Sequence, residues 1–188
     1  MGAVRADFKT LCTVWAHSGL SRARKLEIYN ACIVSKLTYC LEILWLNKAE
    51  LNKLDAFQAY CLRKIAGIRH SYVSRVSNKT VRETLECKPL SHRLLEQQLL
   101  FIGRIASSKQ DSILRKTVFI ENSFTLVPVK GPRRKGRPRK HWTKELYGIS
   151  VKVAGSKPSL ANMWAEGHAS QEIWRRAVKA YCSSLTCD

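Results

Sequence analysis

Hydrophobic residues recur every three or four positions through the first two-thirds of the chain, and this period predicts helices. The clearest stripe consists of Leu51, Leu54, Phe57, Cys61 and Ile65. Asn47 and Glu50 precede that stripe at the spacing of a capping box, and Gly67 follows it as a stop signal. The pattern therefore predicts an all-α fold: a helical bundle with a helical extension and an extended basic arm.

Weaker patterns predict the remaining helices. A first helix ends before Gly19, and Ser21 opens a second whose end is left open, because residues 37–46 fit either a helix or a strand. Residues 118–129 have little helical period and are predicted to form an extended connector. Further helices are predicted over residues 79–87, from Ser91 onwards, from Trp142 onwards and, as two short helices, after Pro158.

The chain is strongly basic, because 33 Lys and Arg against 14 Asp and Glu give a net charge of +19 in 188 residues. Residues 130–140 concentrate this charge: seven of the eleven positions are basic, none is acidic, and the other four are Gly or Pro. Such a segment cannot form a core, and it is predicted to be a solvated, extended arm. Its basic residues are Lys130, Arg133, Arg134, Lys135, Arg137, Arg139 and Lys140.

The helical body is basic as well, since residues 1–129 hold 20 basic and 10 acidic residues. An excess of this size repels itself in a compact fold, and a polyanion is its natural compensation. The basic residues on and just after the third predicted helix lie mostly off the apolar stripe: Lys48, Lys53, Arg63, Lys64 and Arg69. We predict that this helix face lies along the phosphates of a duplex, while arm residues 133–140 hold a second stretch.

Residues 135–140, Lys-Gly-Arg-Pro-Arg-Lys, resemble the core of an AT-hook, in which Gly permits close approach and Pro keeps the chain extended. The same residues would also suit a nuclear-import signal or a general phosphate contact. Trp142 either stacks on a base or anchors its helix to the core, and packing is the commoner role. The tryptophans predicted to be core residues are Trp15, Trp45, Trp164 and Trp174.

Signals for a membrane span, a metal site or an enzyme are missing from the sequence. No apolar run approaches the roughly 18 residues that a bilayer-crossing helix requires. The seven cysteines show no zinc-knuckle spacing. Five of them lie in apolar surroundings, which favours reduced thiols in an intracellular compartment. The five histidines are scattered, no two carboxylates stand adjacent or one apart, and no Gly-rich phosphate loop occurs. We therefore predict no cofactor, no bound metal and no catalysis by this chain.

Short fragments in a characteristic order give the chain a family resemblance. The fragments are Arg24-Lys25-Leu26, residues 28–32, residues 35–42, Trp45, Leu54-Asp55-Ala56-Phe57-Gln58, residues 61–65, Gly67-Ile68, Ser77-Asn78, Arg93-Leu94-Leu95, residues 101–105, and Gly136-Arg137-Pro138-Arg139 before Trp142. Over about residues 4–147, they resemble the thumb and post-thumb region of reverse transcriptases encoded by non-LTR (LINE-like) retrotransposons. The chain departs from that family at Cys40, where Gly is frequent, and at Arg104-Ile105, where His-Val is common.

The resemblance implies an order of domains. Residues 1–70 would form a thumb-like helical bundle that grips template-primer duplex, and residues 71–127 a helical extension and connector that helps to hold element RNA or target DNA. Residues 128–141 would form the basic arm, and residues 142–188 short C-terminal helices. The family's palm motif, an aromatic residue followed by paired aspartates, is missing, as are the fingers and the endonuclease. The resemblance therefore implies a fragment without catalysis of its own.

The resulting prediction is a nuclear, non-catalytic nucleic-acid-binding fragment of an RNA-directed DNA polymerase. Its partners would be an RNA–DNA hybrid, DNA or RNA, held through the phosphate backbone, and the rest of a reverse transcriptase polypeptide. One alternative is a free-standing, AT-hook-like architectural DNA-binding protein. Another is an interaction protein whose helix faces meet a partner chain. An anionic membrane is the least favoured partner, because the arm lacks an apolar helical face.

Overall fold

The computed structural model describes residues 1–128 and 140–185, so the predicted basic arm falls almost wholly outside the described residues. Lys140 is described, whereas the other predicted arm residues are not: Lys130, Arg133, Arg134, Lys135, Arg137 and Arg139. Within the described ranges the fold is all-α, as predicted, and its one strand-like feature is an antiparallel bridge between Phe119 and Leu126. No helix in these ranges is long and apolar enough to cross a bilayer.

The described residues divide into two compact units. Unit 1 comprises Met1–Leu41 and Leu46–Arg93, and unit 2 comprises Glu42–Trp45 and the described part of Leu94–Asp188. Unit 1 contains α1 (Gly2–Ala16), α2 (Arg22–Ile28), a π-helical turn (Tyr29–Val34), α3 (Ser35–Thr38), α4 (Lys48–Ala66), α5 (Ser71–Ser74) and α6 (Asn78–Thr84). Helix α7 (Leu90–Ala106) contributes to both units, and unit 2 continues with α8 (Ile113–Val118), α9 (Trp142–Ala154), α10 (Lys157–Met163) and α11 (His168–Ser184).

Phe8 is the centre of an aromatic cluster in unit 1. Its ring meets the rings of Trp15, Tyr29, Phe57 and Tyr60 edge-on, with centroids 5.9 to 6.4 Å apart. Edge-to-face pairs of this kind add roughly 0.5–1.5 kcal/mol each beyond the area that they bury. The apolar faces of the first, second and third predicted helices therefore meet at this cluster.

The second predicted helix begins at Ser21, whose hydroxyl accepts a hydrogen bond from the first turn. It passes through the π-helical turn and ends at Thr38. Beyond it, Cys40 has a φ of +57°, and a short 3-10 helix spans Leu41–Ile43. The helix thus continues only through Thr38, and residues 39–46 neither extend it nor form a strand, so neither alternative left open by the sequence holds beyond Thr38.

Helix α4 carries both end signals that the sequence predicts. The Asn47 side chain accepts a hydrogen bond from the backbone N of Glu50 at 3.0 Å, and the Glu50 carboxylate accepts one from the backbone N of Asn47 at 2.7 Å. Gly67 ends the helix with a φ of +73°, a left-handed conformation that glycine adopts without steric cost. The capping box and the glycine stop are therefore confirmed.

Side chains of α4 form hydrogen bonds with residues at the start of α7. These residues lie beyond residue 70, where the sequence predicts the end of the first domain. Asp55 accepts hydrogen bonds from the backbone N and the hydroxyl of Ser91, at 2.9 and 2.6 Å. Gln58 is buried; its amide donates to the Lys88 carbonyl and accepts from the backbone N of Leu90. These bonds satisfy N–H groups that the first turn of α7 cannot satisfy internally. Unit 1 consequently extends to Arg93.

Trp164 is the centre of the core of unit 2. Its ring lies 5.6 to 6.1 Å from those of Phe119, Phe124, Tyr147 and Trp174, measured between centroids. Trp164 and Trp174 are buried, as Trp15 is in unit 1. Trp45 packs half-buried against the core of unit 2. Core packing is therefore confirmed for the predicted tryptophans.

Two segments of unit 2 differ from the sequence prediction. Helix α8 lies where no helical pattern is evident, and a turn closed by the Phe119–Leu126 bridge replaces part of the predicted extended connector. Helix α10 is short as predicted but includes Pro158 in its first turn, and α11 is a 17-residue helix. Its buried residues, Trp174, Val178 and Cys182, repeat every four residues, which extends the apolar face over several turns.

Gly103 of α7 lies against the indole of Trp174 of α11. The indole Nε1 donates a hydrogen bond to the Leu99 carbonyl at 3.0 Å, and a Cβ placed on residue 103 would overlap the ring. The absence of a side chain at Gly103 therefore permits this helix contact.

Replacing Gly103 by alanine should destabilise the protein by about 1–3 kcal/mol, the usual cost of overpacking a core. Gly148→Ala is the matched control in α9, since a Cβ at that position meets nothing within 4 Å. It should raise stability by up to about 1 kcal/mol, because alanine favours helices. Urea unfolding followed by circular dichroism measures both variants, and a Gly103→Ala protein as stable as the parent would contradict the close approach.

Cysteine alkylation should follow burial in the folded protein. Cys32 and Cys40 are exposed, whereas Cys61 and Cys182 are buried. Iodoacetamide should therefore modify Cys32 and Cys40 first, and modify Cys61 and Cys182 only after denaturation, as read by mass spectrometry of tryptic peptides. Modification of Cys61 at the rate of Cys32 in the native protein would contradict the packing of unit 1.

Candidate nucleic-acid interface

Four of the five cations predicted on and after α4 are exposed: Lys48, Lys53, Lys64 and Arg69. Lys53 and Lys64 lie on nearly the same side of the helix, about 16 Å apart along its axis. Tyr60 lies between them on that side and is 44% exposed. Lys48 is rotated about 140° from Lys53, so it lies on a different side. The exposed side of α4 therefore carries two cations and one aromatic ring in line.

The prediction that Arg63 lies along phosphates is wrong, because this residue is only 6% exposed. Its guanidinium donates to the carbonyls of Arg69 and Val76 at 3.2 and 2.6 Å, and to the Ser74 hydroxyl at 3.4 Å. It also donates twice to Asn78 Oδ1, at 3.2 and 3.0 Å. These bonds match the five N–H groups of a guanidinium. Arg63 therefore fastens the segment that follows α4.

A second covered side of α4 explains why the apolar stripe does not predict this burial. Ala59 and Ala66 are buried on the same side of the helix as Arg63, away from the stripe. Residues 69–78 and α6 lie over that side. Because the covered positions are alanines and one arginine, the sequence shows no apolar stripe that would predict a second buried side.

The segment over Arg63 has a defined shape. Helix α5 is a single turn, and the Ser74 hydroxyl lies 3.2 and 3.1 Å from the carbonyls of Arg69 and His70, which accept its proton. Arg75 then turns the chain with a φ of +57°. Side-chain and backbone hydrogen bonds thus hold the segment between α4 and α6.

An open cavity of about 190 Å³ lies between α4 and this segment. Its lining residues are Ala56, Ala59, Tyr60, Arg63, Lys64, His70, Ser71 and Asn78. Residues 56–82 contain no Asp or Glu but six Lys and Arg. Four of the six are exposed, namely Lys64, Arg69, Arg75 and Lys79, and the ion pairs formed within the described ranges use none of them. The stretch that lines the cavity therefore carries cations and no carboxylate.

Exposed rings accompany these cations. Tyr72 is 75% exposed, and its ring centroid lies 6.4 Å from that of His70, which is also exposed. Our sequence reasoning missed Tyr60, His70, Tyr72 and Arg75 as site residues. The signal that could have found them is a stretch of 27 residues without a carboxylate, in which rings alternate with basic residues.

Trp142, beside the predicted arm, is used for packing. Its Nε1 donates to the Glu42 carbonyl at 2.6 Å, and its ring centroid lies 5.9 Å from that of Phe101. The anchoring role is therefore confirmed. Lys140 is exposed, with its Nζ 4.0 Å from the Glu145 carboxylate, and an exposed pair this loose contributes little.

Three buried or half-buried groups of unit 1, Tyr29, Cys61 and Cys87, have shifted pKa values. Burial raises the pKa of the Tyr29 phenol and of the Cys61 and Cys87 thiols, so all three stay protonated at neutral pH. The thiolate is the form of cysteine that binds metals or attacks substrates. Across residues 1–128 and 140–185, no three His, Cys, Asp or Glu side chains gather closely enough to hold a metal ion.

Replacing Arg63 by methionine should loosen residues 69–78. Losing hydrogen bonds from a charged donor costs about 1.5–3 kcal/mol, which corresponds to at least about ten-fold faster amide exchange in that segment. Hydrogen exchange with peptide-level mass spectrometry measures this change. Lys64→Met is the matched control, since Lys64 is next to Arg63 in the sequence but its side chain is exposed and makes no such hydrogen bonds. Unchanged exchange over residues 69–78 in the Arg63 variant would contradict its fastening role.

No protein-family model, curated protein or solved structure matches this chain. The resemblance to non-LTR reverse transcriptases therefore stays a prediction from the sequence fragments. The features that bear on function are accordingly the charge and geometry of unit 1, together with those fragments.

Proposed function

We propose that the chain is a non-catalytic, nucleic-acid-binding segment of a retroelement reverse transcriptase, which grips its ligand through the phosphate backbone. The observation that carries the proposal is the acid-free stretch 56–82, with exposed cations on α4 and on the segment after it. Its partners would be an RNA–DNA hybrid, DNA or RNA, and the remaining polypeptide of the polymerase. A nuclear location would follow from that role.

The geometry of α4 suits backbone contact. Lys53 and Lys64 are separated by about 16 Å along the helix axis, and a duplex carries one negative charge per ~1.7 Å of its own axis. A helix side of that length therefore faces several phosphates at once. Binding releases the counterions condensed on them, which provides a favourable free energy without any base contact.

Cys40 supports the family assignment. Its φ of +57° is in the left-handed region, which glycine populates more readily than any other residue. Glycine is also what the resembled family often carries at this position. The departure from the family pattern thus falls where the backbone geometry suits the family's residue.

The basic arm would add a second contact. Its sequence, with Gly and Pro among seven cations, suits an extended segment that follows phosphates or enters a narrow groove. In this proposal the arm strengthens a grip that unit 1 already provides. In the AT-hook alternative, the arm provides nearly all of the binding.

Duplex affinity should fall steeply with salt. For about four to six phosphates neutralised, a plot of log affinity against log salt should have a slope of about −4 to −5. Fluorescence anisotropy with DNA and RNA–DNA duplexes measures it. Replacing both Lys53 and Lys64 by alanine should flatten the slope by about 2, whereas Lys109→Ala with Lys152→Ala, an equal loss of charge from exposed residues of unit 2, should change it little.

Two results would count against the proposal. A slope corresponding to fewer than about three released counterions would be too small for a backbone grip. Deleting residues 130–140 should weaken binding without abolishing it. Complete loss of binding after that deletion would favour the free-standing AT-hook protein instead.

A further inference from the structure

Tyr72 presents an aromatic face to solvent at the outer side of the segment that Arg63 fastens. Its side chain belongs to the one-turn helix α5 and is 75% exposed. His70 lies beside it, with the two ring planes inclined at 43°. Large rings are usually buried, so two exposed rings side by side point to a binding surface.

The backbone beneath these rings is fixed in advance. Arg63 holds the carbonyls of Arg69 and Val76, one on each side of α5, and Asn78 beyond them. The Ser74 hydroxyl is hydrogen-bonded to the carbonyls of Arg69 and His70. A surface that is ordered before binding loses less conformational entropy when a ligand arrives.

Charge selects the chemistry of the ligand. Arg69 and Arg75 are exposed and stand three residues before and three residues after Tyr72. No carboxylate occurs within residues 56–82 to oppose them. An aromatic ring flanked in sequence by two exposed cations suits a ligand that is planar in one part and anionic on either side of it, which describes a nucleotide within a strand.

We propose that Tyr72, assisted by His70, stacks on an unpaired base of single-stranded nucleic acid, while Arg69 and Arg75 contact the flanking phosphates. The ligand is single-stranded because the base faces of a duplex are covered by their neighbours, and only an unpaired base offers a free face. This inference rests on the proposed function and deepens it, since it adds an unpaired strand next to the gripped duplex.

The test compares three forms of one duplex: blunt, with an unpaired DNA tail of four nucleotides, and with an unpaired RNA tail of the same sequence. The full chain should bind at least one tailed form about five-fold or more tightly than the blunt form. The two tails show whether DNA or RNA is the better source of the unpaired base. Equal affinity for all three forms would overturn the inference and leave the backbone grip standing.

Tyr72→Ala should abolish the preference for a tail, so that the tailed and blunt forms bind with equal affinity. Tyr72→Phe is the matched control and should keep the preference, because its ring can still stack. A 2-aminopurine in the tail gives a direct readout, since the parent protein and Tyr72→Phe should change its fluorescence and Tyr72→Ala should not. A tail preference that survives in Tyr72→Ala would also overturn the inference.

The two proposals fail in different ways. If tailed duplexes bind and the blunt duplex does not, the duplex grip is wrong and the stacking site stands. If none of the three forms binds, both proposals are wrong, and the rings of α5 serve a ligand other than nucleic acid.

Discussion

Unit 1 depends on how a buried guanidinium is satisfied without a counter-ion. Moving a cation out of water costs free energy unless its donors find acceptors. Arg63 meets this requirement with neutral oxygens only, from the backbone and side chains of the segment after α4. The segment can therefore satisfy the guanidinium only along a narrow range of paths. One buried side chain thus sets the position of Tyr72 and of the cations around it.

The acidic residues of α4 complement this arrangement. Glu50 accepts a hydrogen bond from the backbone at the start of its own helix, and Asp55 accepts two from Ser91 at the start of α7. Both carboxylates are thus occupied by N–H or O–H donors at helix ends. After Asp55 the chain has no carboxylate until Glu83, so Lys64 has no opposing charge near it in sequence. In this way the same helix stabilises unit 1 and presents a positive surface.

Local signals made much of the fold predictable from the sequence. Ser21, Asn47 and Gly67 act on neighbours within one turn, and each caps or ends its helix as predicted. The prediction that Arg63 lies along phosphates is wrong because its hydrogen-bond partners extend to Asn78, fifteen residues along the chain. A helical period does not show that such a segment covers the helix. The predicted length of α11 is wrong for a similar reason, since the apolar face of this helix packs on the core around Trp164. The arm and the family assignment stay predictions.

Cys40 has a consequence for how such a chain tolerates change. A left-handed conformation costs a residue other than glycine roughly 1–2 kcal/mol, and Arg75 and Glu86 adopt the same conformation. A domain folds with a margin of only about 5–15 kcal/mol. A residue other than glycine at such a turn therefore lowers the free energy of unfolding without destroying the fold. Substitutions at such turns would lower the melting temperature in small steps, while the exposed cations of unit 1 stayed in place.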